Sequence, residues 1–111
     1  MSTHADLTIP LRALGFRSAS SASAMAENWD AVQVGVLLQT VIERHAYSVL
    51  DEGDLQIVSV TFDASADAIS DQSLDFSSRI DRKTRTLVFA SGLARQADRH
   101  ILKATVVFRI A

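Results

Sequence analysis

The stretch from Asn28 to Leu50 constrains the fold more than any other part of the chain, because its apolar residues recur with the period of an α-helix. At about 100° per residue, the apolar positions cover one broad arc of the helix surface. They are Val32, Val34, Gly35, Leu38, Val41, Ile42, Ala46, Val49 and Leu50. A helix with so wide an apolar arc needs more than one partner surface. We expect Asn28 or Asp30 to cap its start and Gly53 to stop it.

The chain after Asp54 has the two-residue period of β-strands and supplies that partner surface. The predicted strands are Leu55 to Asp63, Ser73 to Asp81, Arg85 to Arg95 and Ile101 to Ile110. On the first of them, Val58, Val60 and Phe62 are expected to share one face. The later three strands are joined by short polar turns, which favours an antiparallel meander.

The chain before the helix has a weaker pattern. Residues 1–6 are expected to be disordered, and Pro10 followed by Gly15 indicates a brief helix. The segment from Phe16 to Glu27 is rich in Ser and Ala, which is typical of a linker. Its alternate positions also fit one face of a strand whose small side chains let a helix approach closely. We prefer the strand.

A long helix between a small-residue strand and a meander predicts an α+β fold, in which one curved antiparallel sheet wraps around the central helix. The 111 residues have the length of one domain, residues 1–111.

The composition gives no indication of a metal site. The chain has no cysteine, and its three histidines are too scattered to show the spacing of metal ligands. No apolar run reaches the about 18 residues of a membrane span. The first residues lack the order of a secretory signal, so we expect a cytoplasmic protein.

Charge is distributed unevenly along the chain. Residues 1–78 contain three Lys and Arg against eleven Asp and Glu, whereas residues 79–111 contain eight against two. The basic residues either lie on solvated strand faces or form an anion site for a phosphate-bearing ligand. Four of them crowd one turn and its flanks: Arg79, Arg82, Lys83 and Arg85. The net charge of −2 and the absence of interleaved aromatic residues disfavour nucleic acid as a partner.

With this order of elements, the chain resembles the hot-dog fold, in particular the acyl-CoA thioesterases of the phenylacetate-pathway and 4-hydroxybenzoyl-CoA type. The resemblance covers nearly the whole chain, and the closing run Ala-Thr-Val-Val-Phe-Arg-Ile is similar to the family's last strand. The family's active-site pattern is Asn-x-x-Gly-x-x-His-Gly-Gly, with an acid seven residues further on. Laid on this chain without a gap, Asn28, Gly35 and Glu43 match it. The first Gly, the His and the last Gly are replaced by Ala31, Val34 and Val36.

The resemblance implies hydrolysis of an acyl-CoA thioester without a metal or cofactor. Glu43 would activate water or attack the thioester carbon, while the N–H groups of Gly35 and Val36 at the helix start polarise the carbonyl oxygen. Asn28 belongs to the same pattern. The resemblance also implies a homo-oligomer, a dimer or a dimer of dimers, with the active site between subunits. The turn of Arg82, Lys83 and Arg85 would then hold the nucleotide end of coenzyme A.

Alternatives stay open for each of these residues. Glu43 is otherwise a solvated partner of an arginine, and Gly35 otherwise lets the helix pack tightly on a strand. His45 is expected to be a hydrogen-bonded core or interface residue. Because the family's His and two glycines are missing, the chain is either a thioesterase or a catalytically silent module that binds an acyl ligand or a protein partner. A hydratase of the same fold fits less well, and no Gly-x-Ser-x-Gly motif indicates a serine hydrolase.

Overall fold

The computed structural model describes residues 9–111, and within that range one long helix packs against one antiparallel sheet. A 3₁₀ helix (Leu11–Ala13) leads into the sheet, whose strand order is β1-β2-β4-β5-β6-β3. The elements are β1 (Gly15–Ser18), β2 (Ser21–Met25), α1 (Ala31–Ser48), β3 (Leu55–Ala64), β4 (Ser73–Lys83), β5 (Leu87–Gln96) and β6 (Arg99–Ile110). This is the predicted α+β architecture of the hot-dog fold. The predicted disorder of residues 1–6 lies outside the described residues.

Helix α1 begins at Ala31, because Asp30 is its N-cap, as one of the two predicted alternatives has it. The Asp30 carboxylate accepts a hydrogen bond from the Gln33 backbone N–H at 2.9 Å, and the Gln33 side chain accepts one from the Asp30 N–H at 3.0 Å. This reciprocal capping box satisfies two backbone donors at once. The helix ends at Ser48, two residues before the predicted end at Leu50.

The core lies between α1 and the inner face of the sheet. The buried helix residues are Val34, Gly35, Leu37, Leu38, Val41, Ile42 and Ala46. The helical wheel was wrong at three positions, since Leu37 is fully buried while Val32 and Val49 are 53% and 37% exposed. The sheet encloses the middle of the helix, whereas Val32 and Val49 lie at its two ends. At Gly92 an added Cβ would come within 2.9 Å of the Leu38 and Ile42 side chains, which marks a close approach of helix and sheet.

The segment from Phe16 to Glu27 forms a hairpin and not the single strand that we predicted. Strand β1 pairs with β2 antiparallel, with Phe16 opposite Ala22. The turn between them is held by Ser18, whose hydroxyl accepts a hydrogen bond from the Ser20 N–H at 3.2 Å. A side-chain turn of this kind leaves no periodic signal in the sequence. We predicted that alternate residues of this segment face the helix. Within the two strands this is correct only on β2, where Ala22 and Ala24 are buried.

Strand β3 forms an edge of the sheet and pairs with β6 alone. Its register shifts between Ile57 and Ser59, which leaves Val58 as a bulge. Ile57, and not Val58 as predicted, therefore shares a face with Val60 and Phe62, because all three pair with inward-facing residues of β6. Ile57, Val58 and Phe62 are 41%, 51% and 39% exposed, so this edge presents apolar side chains to solvent.

Candidate active site

Glu43 lies half-buried on α1, in line with Gln39 one turn before it and Tyr47 one turn after it. The Tyr47 hydroxyl donates a short hydrogen bond to the Asp54 carboxylate. This bond raises the pKa of Tyr47, and the Glu43 charge acts in the same direction. The same bond lowers the pKa of Asp54. One face of the helix therefore carries an amide, a carboxylate and a phenol in succession.

The Tyr47 and Asp54 pair fixes the chain where it passes from the helix into β3. The Leu55 backbone N–H donates to the Asp54 carboxylate at 2.9 Å and approaches the Tyr47 oxygen at 3.2 Å. Sequence reasoning missed this pair, because Tyr47 is not among the residues of the predicted apolar arc and Asp54 was assigned no role. The position of Tyr47 four residues after Glu43 could have indicated that both side chains lie on the same face of the helix.

The backbone N–H groups that are free at the start of the helix are not those that we predicted as oxyanion donors. Its first backbone hydrogen bond runs from the Val34 N–H to the Asp30 carbonyl at 3.1 Å. Gly35 and Val36 lie in the following turn, where α-helical N–H groups bond to carbonyls four residues earlier. The predicted donors are thus one turn too far into the helix. The N–H groups without an intrahelical acceptor are those of the first turn, at Ala31 and Val32.

Gly35 is a packing position in this structure. A Cβ added to it would lie 3.2 Å from the Cε2 and Cζ atoms of Phe62 on β3, closer than ordinary van der Waals contact. The glycine thus admits an aromatic ring against the helix backbone, which is the packing alternative left open by the sequence. Val34, at the position of the family's His, is 1% exposed and belongs to the core. Asn28 is exposed in the loop before the helix.

The basic turn lies beside the end of the helix. β4 extends to Lys83 and β5 begins at Leu87, so the turn has the predicted length but lies two residues later. The Thr84 hydroxyl accepts the Leu87 N–H at 3.0 Å and closes it. Lys83 and Arg85 line a cavity of about 360 Å³ together with Leu50, Asp51, Glu52 and Ile110. Arg82 is exposed and lies outside this lining.

The acidic residues across this cavity matter for any anion that enters it. Asp51 and Glu52 face the same space as Lys83 and Arg85, yet neither cation has an ion-pair partner among the described residues. The sequence predicted the basic group but not the carboxylates opposite it. The cavity therefore contains charges of both signs, which reduces its attraction for a phosphate.

His45 makes the kind of contact expected of a core histidine. Its Nδ1 atom lies 2.9 Å from the Ser78 hydroxyl, in a partly buried position between helix and sheet. Burial lowers the pKa of His45, so its neutral form prevails near pH 7. The imidazole joins α1 to β4.

Gln96 is a buried glutamine that holds the chain leading to the start of the helix. The sequence predicted it only as the first residue of a turn between two strands. Gln96 is 2% exposed, and its amide accepts from the Ile69 N–H at 2.8 Å and donates to the Ile69 carbonyl at 2.7 Å. The loop that it holds bonds in turn to the segment before Asn28, through Ser70 to the Glu27 carbonyl at 2.8 Å. Gln96 thereby orders the chain that leads to Asn28.

Two kinds of site are missing from the described part of the chain. No group of three or more His, Asp or Glu side chains among residues 9–111 is arranged to hold a metal ion. In the same residues, no helix has the length and hydropathy needed to span a membrane.

Comparison with known proteins supports the fold. No family model matches the chain, and no curated protein matches its sequence. Among solved structures, a phenylacetic acid degradation-related protein from Ralstonia eutropha is 15% identical, with a TM-score of 0.75 over 96% of this chain and 95% of that one. Thioesterase superfamily member 2 from Mus musculus is 12% identical, with a TM-score of 0.74 over 88% and 80%. A Bacillus halodurans protein solved with CoA is 11% identical, with a TM-score of 0.73 over 82% and 66%. What these proteins share with the chain is the hot-dog fold.

Proposed function

We propose that this chain hydrolyses an acyl-CoA thioester and that Glu43 carries the reaction. The observation behind the proposal is the position of Glu43, half-buried on the helix of a hot-dog fold, at the spacing expected of the catalytic acid. The solved neighbours include a thioesterase superfamily member and a protein with bound CoA. Both support a thioester of coenzyme A as the substrate class.

Glu43 would act on the thioester carbon in one of two ways. Its carboxylate removes a proton from water as the water attacks, or it attacks the carbon and forms an anhydride that water then hydrolyses. In both cases the carbon–sulfur bond breaks, and coenzyme A leaves as the thiol after gaining a proton. The negative charge that develops on the carbonyl oxygen needs donors, and the first-turn N–H groups of Ala31 and Val32 are suited to this. The reaction requires no metal or cofactor.

The length of the helix requires a second copy of the chain. Ala31 and Glu43 are twelve residues apart on α1, or about 18 Å at 1.5 Å per residue. A carboxylate and an oxyanion donor must both lie about 3 Å from the reacting group, so one chain does not supply both. In a dimer with antiparallel helices, Glu43 would face the partner's Ala31.

The edge strand β3 is the part of the chain that suits such a dimer. An unpaired edge with exposed Ile57, Val58 and Phe62 is a strand-pairing surface that soluble proteins normally cover. Pairing with a second copy would join the two sheets and cover these side chains. Sedimentation at micromolar concentration should then give a species of at least twice 12.1 kDa, and a persistent monomer would contradict the dimer.

The turn of Arg82, Lys83 and Arg85 would hold the phosphates of the nucleotide. Lys83 and Arg85 line one cavity and lack ion-pair partners among the described residues, which leaves them available to an anion. Asp51 and Glu52 oppose them across that cavity and would weaken the clamp.

A catalytically silent module is the second candidate, and the burial of Val34 at the position of the family's His favours it. A panel of short-chain, medium-chain and aromatic acyl-CoAs, assayed for free thiol, separates the two. The thioesterase releases thiol from at least one of them with saturation kinetics. Binding of a nonhydrolysable acyl-CoA analogue without turnover of any parent thioester would instead establish the module.

A further inference from the structure

A second cavity, of about 480 Å³, lies on the side of the sheet away from the helix. At Gly92 the Cβ direction points at Leu38 and Ile42 of α1. Its neighbours Ser91 and Leu93, which line the cavity, therefore project from the opposite face of β5. The site is separated from the proposed catalytic face by the thickness of the sheet.

Register brings cations from two strands to the rim of this cavity. Leu93 pairs with Ser77 on β4 and with Lys103 on β6, while Ser91 pairs with Arg79. Lys103 and Arg79 thus stand on either side of β5, about 12 Å apart across two strand spacings and two residues along the strand. Side chains of that length reach inward to one shared anion. His100 adds a third nitrogen-bearing side chain to the lining.

The polar groups of the cavity have few partners of their own. Ser91 is 8% exposed, and its hydroxyl bonds to no other described residue. No fully buried side-chain N or O in residues 9–111 lacks a partner, so the Ser91 hydroxyl keeps its exposure to the cavity. Lys103 likewise has no ion pair within the described residues. The Ser91 hydroxyl and the Lys103 ammonium are therefore open to the cavity and available to a ligand there.

The charge of the lining is positive. Arg79 uses its Nε to bond Asp81 at 2.7 Å, which leaves its terminal nitrogens available. Two further acids lie on this face outside the cavity lining: Asp75, which is paired with Arg17 at 3.3 Å, and Asp63, which stands opposite Lys103 in the register of β3 with β6 but forms no ion pair with it. Lysine and arginine only donate hydrogen bonds, and serine hydroxyls can donate as well. The arrangement suits a ligand rich in acceptors and negative charge.

We propose that this cavity binds a small organic phosphate, with the phosphate held by Lys103, Arg79 and the Ser91 hydroxyl. A phosphate monoester presents three terminal oxygens to these donors. The volume of about 480 Å³ exceeds what a bare phosphate fills and lies in the range of small-molecule sites. Leu93 supplies an apolar surface for the organic part of the ligand.

Titration of the ¹⁵N-labelled full chain with phenyl phosphate, followed by NMR, tests the proposal. Inorganic phosphate serves as the bare anion and phenol as the uncharged body. We expect saturable shifts at the amides of Ser77, Ser91 and Leu93 with phenyl phosphate, weaker binding of inorganic phosphate, and no shifts with phenol. Absence of a saturable shift at concentrations on the order of 10 mM would overturn the site.

Matched variants assign the binding to named side chains. Lys103→Met removes the charge but keeps the length, and it should raise the dissociation constant about tenfold or more. Lys83→Met, a change in the cavity lined by Lys83 and Arg85, should leave the dissociation constant for phenyl phosphate unchanged. Wild-type affinity in Lys103→Met, or a loss confined to Lys83→Met, would overturn the proposal. Acyl-CoA hydrolysis by Lys103→Met should stay at the wild-type rate, so the two proposals fail or succeed separately.

Discussion

The ring of Phe62 lies against Gly35, with its Cε2 atom 3.2 Å from the point where a Cβ on Gly35 would stand. An edge strand and the second turn of the helix are therefore coupled through a residue that has no side chain. Phe62 is 39% exposed even so, because nothing in the described residues covers its outer side. The contact links the helix start to the strand that we propose as the dimer edge.

This contact predicts that Gly35→Ala and Phe62→Ala are coupled in a double-mutant cycle. Gly35→Ala on its own gains helix propensity, worth about 1 kcal/mol, but forces the ring of Phe62 away. In a Phe62→Ala background, Gly35→Ala should raise the free energy of unfolding by the full helix-propensity gain, because no ring stands in the way. We expect the two substitutions to be coupled by about 1 kcal/mol in the free energy of unfolding, measured by urea denaturation. Additive effects would mean that Phe62 does not restrict Gly35.

Stability should depend on pH through His45. Burial lowers the pKa of His45 in the folded chain, whereas the unfolded chain takes up the proton near pH 6.5. Below about pH 6.5 the unfolded state therefore binds more protons, and the free energy of unfolding falls as the pH falls. Urea unfolding at pH 7.5 and 5.5 should show this loss in the wild type and a smaller one in His45→Gln. The exposed His100→Gln is the matched control and should behave as the wild type.

Much of the fold was predictable because the deciding signals are local. Strands β4 to β6 alternate apolar and polar residues cleanly, and Asp30 with Gln33 forms a cap that a sequence can display. The bulge at Val58 and the turn at Ser18 leave no such pattern, since each depends on one hydrogen bond or one shift of register. For the candidate site, the sequence predicted that Glu43 lies on the central helix, where the structure places it, while its catalytic role stays a prediction. In the proposed dimer a second chain would face Glu43, which no local pattern of this sequence displays. The acids that share the cavity with Lys83 come close to it only through folding.

The basic turn should affect substrates that carry a nucleotide and no others. A charge-assisted hydrogen bond to phosphate is worth about 1.5–3 kcal/mol at full strength, and Asp51 and Glu52 weaken the two that Lys83 and Arg85 would make. Replacing both residues with alanine should therefore raise KM for acyl-CoA by one to two decades. Short thioesters without the nucleotide should keep their wild-type KM. Asp51→Asn with Glu52→Gln removes the opposing charges and should lower KM for acyl-CoA. Equal changes for both substrate types would contradict a phosphate clamp.

Mixing two defective variants should restore activity if the site lies between subunits. Ala31→Pro removes one first-turn N–H and suits the helix start, because Asp30 before it is extended with ψ of 178°. After mixing with Glu43→Gln and re-equilibration, half of the dimers contain one intact site, giving about one quarter of wild-type activity. Each variant alone should be far less active. If mixing restores nothing, both groups belong to one chain and the antiparallel arrangement is wrong.

The most direct test of the account is the rate of thiol release by Glu43→Gln, compared with the wild type on the best acyl-CoA of the panel. Glutamine keeps the shape of the side chain but cannot act as a base or nucleophile. We expect kcat to fall by a factor of about 10² to 10⁴, with binding of a nonhydrolysable analogue and the thermal midpoint unchanged. Glu27→Gln, an exposed acid outside the site, should retain the wild-type rate. Equal rates for the wild type and Glu43→Gln would contradict the catalytic role of Glu43.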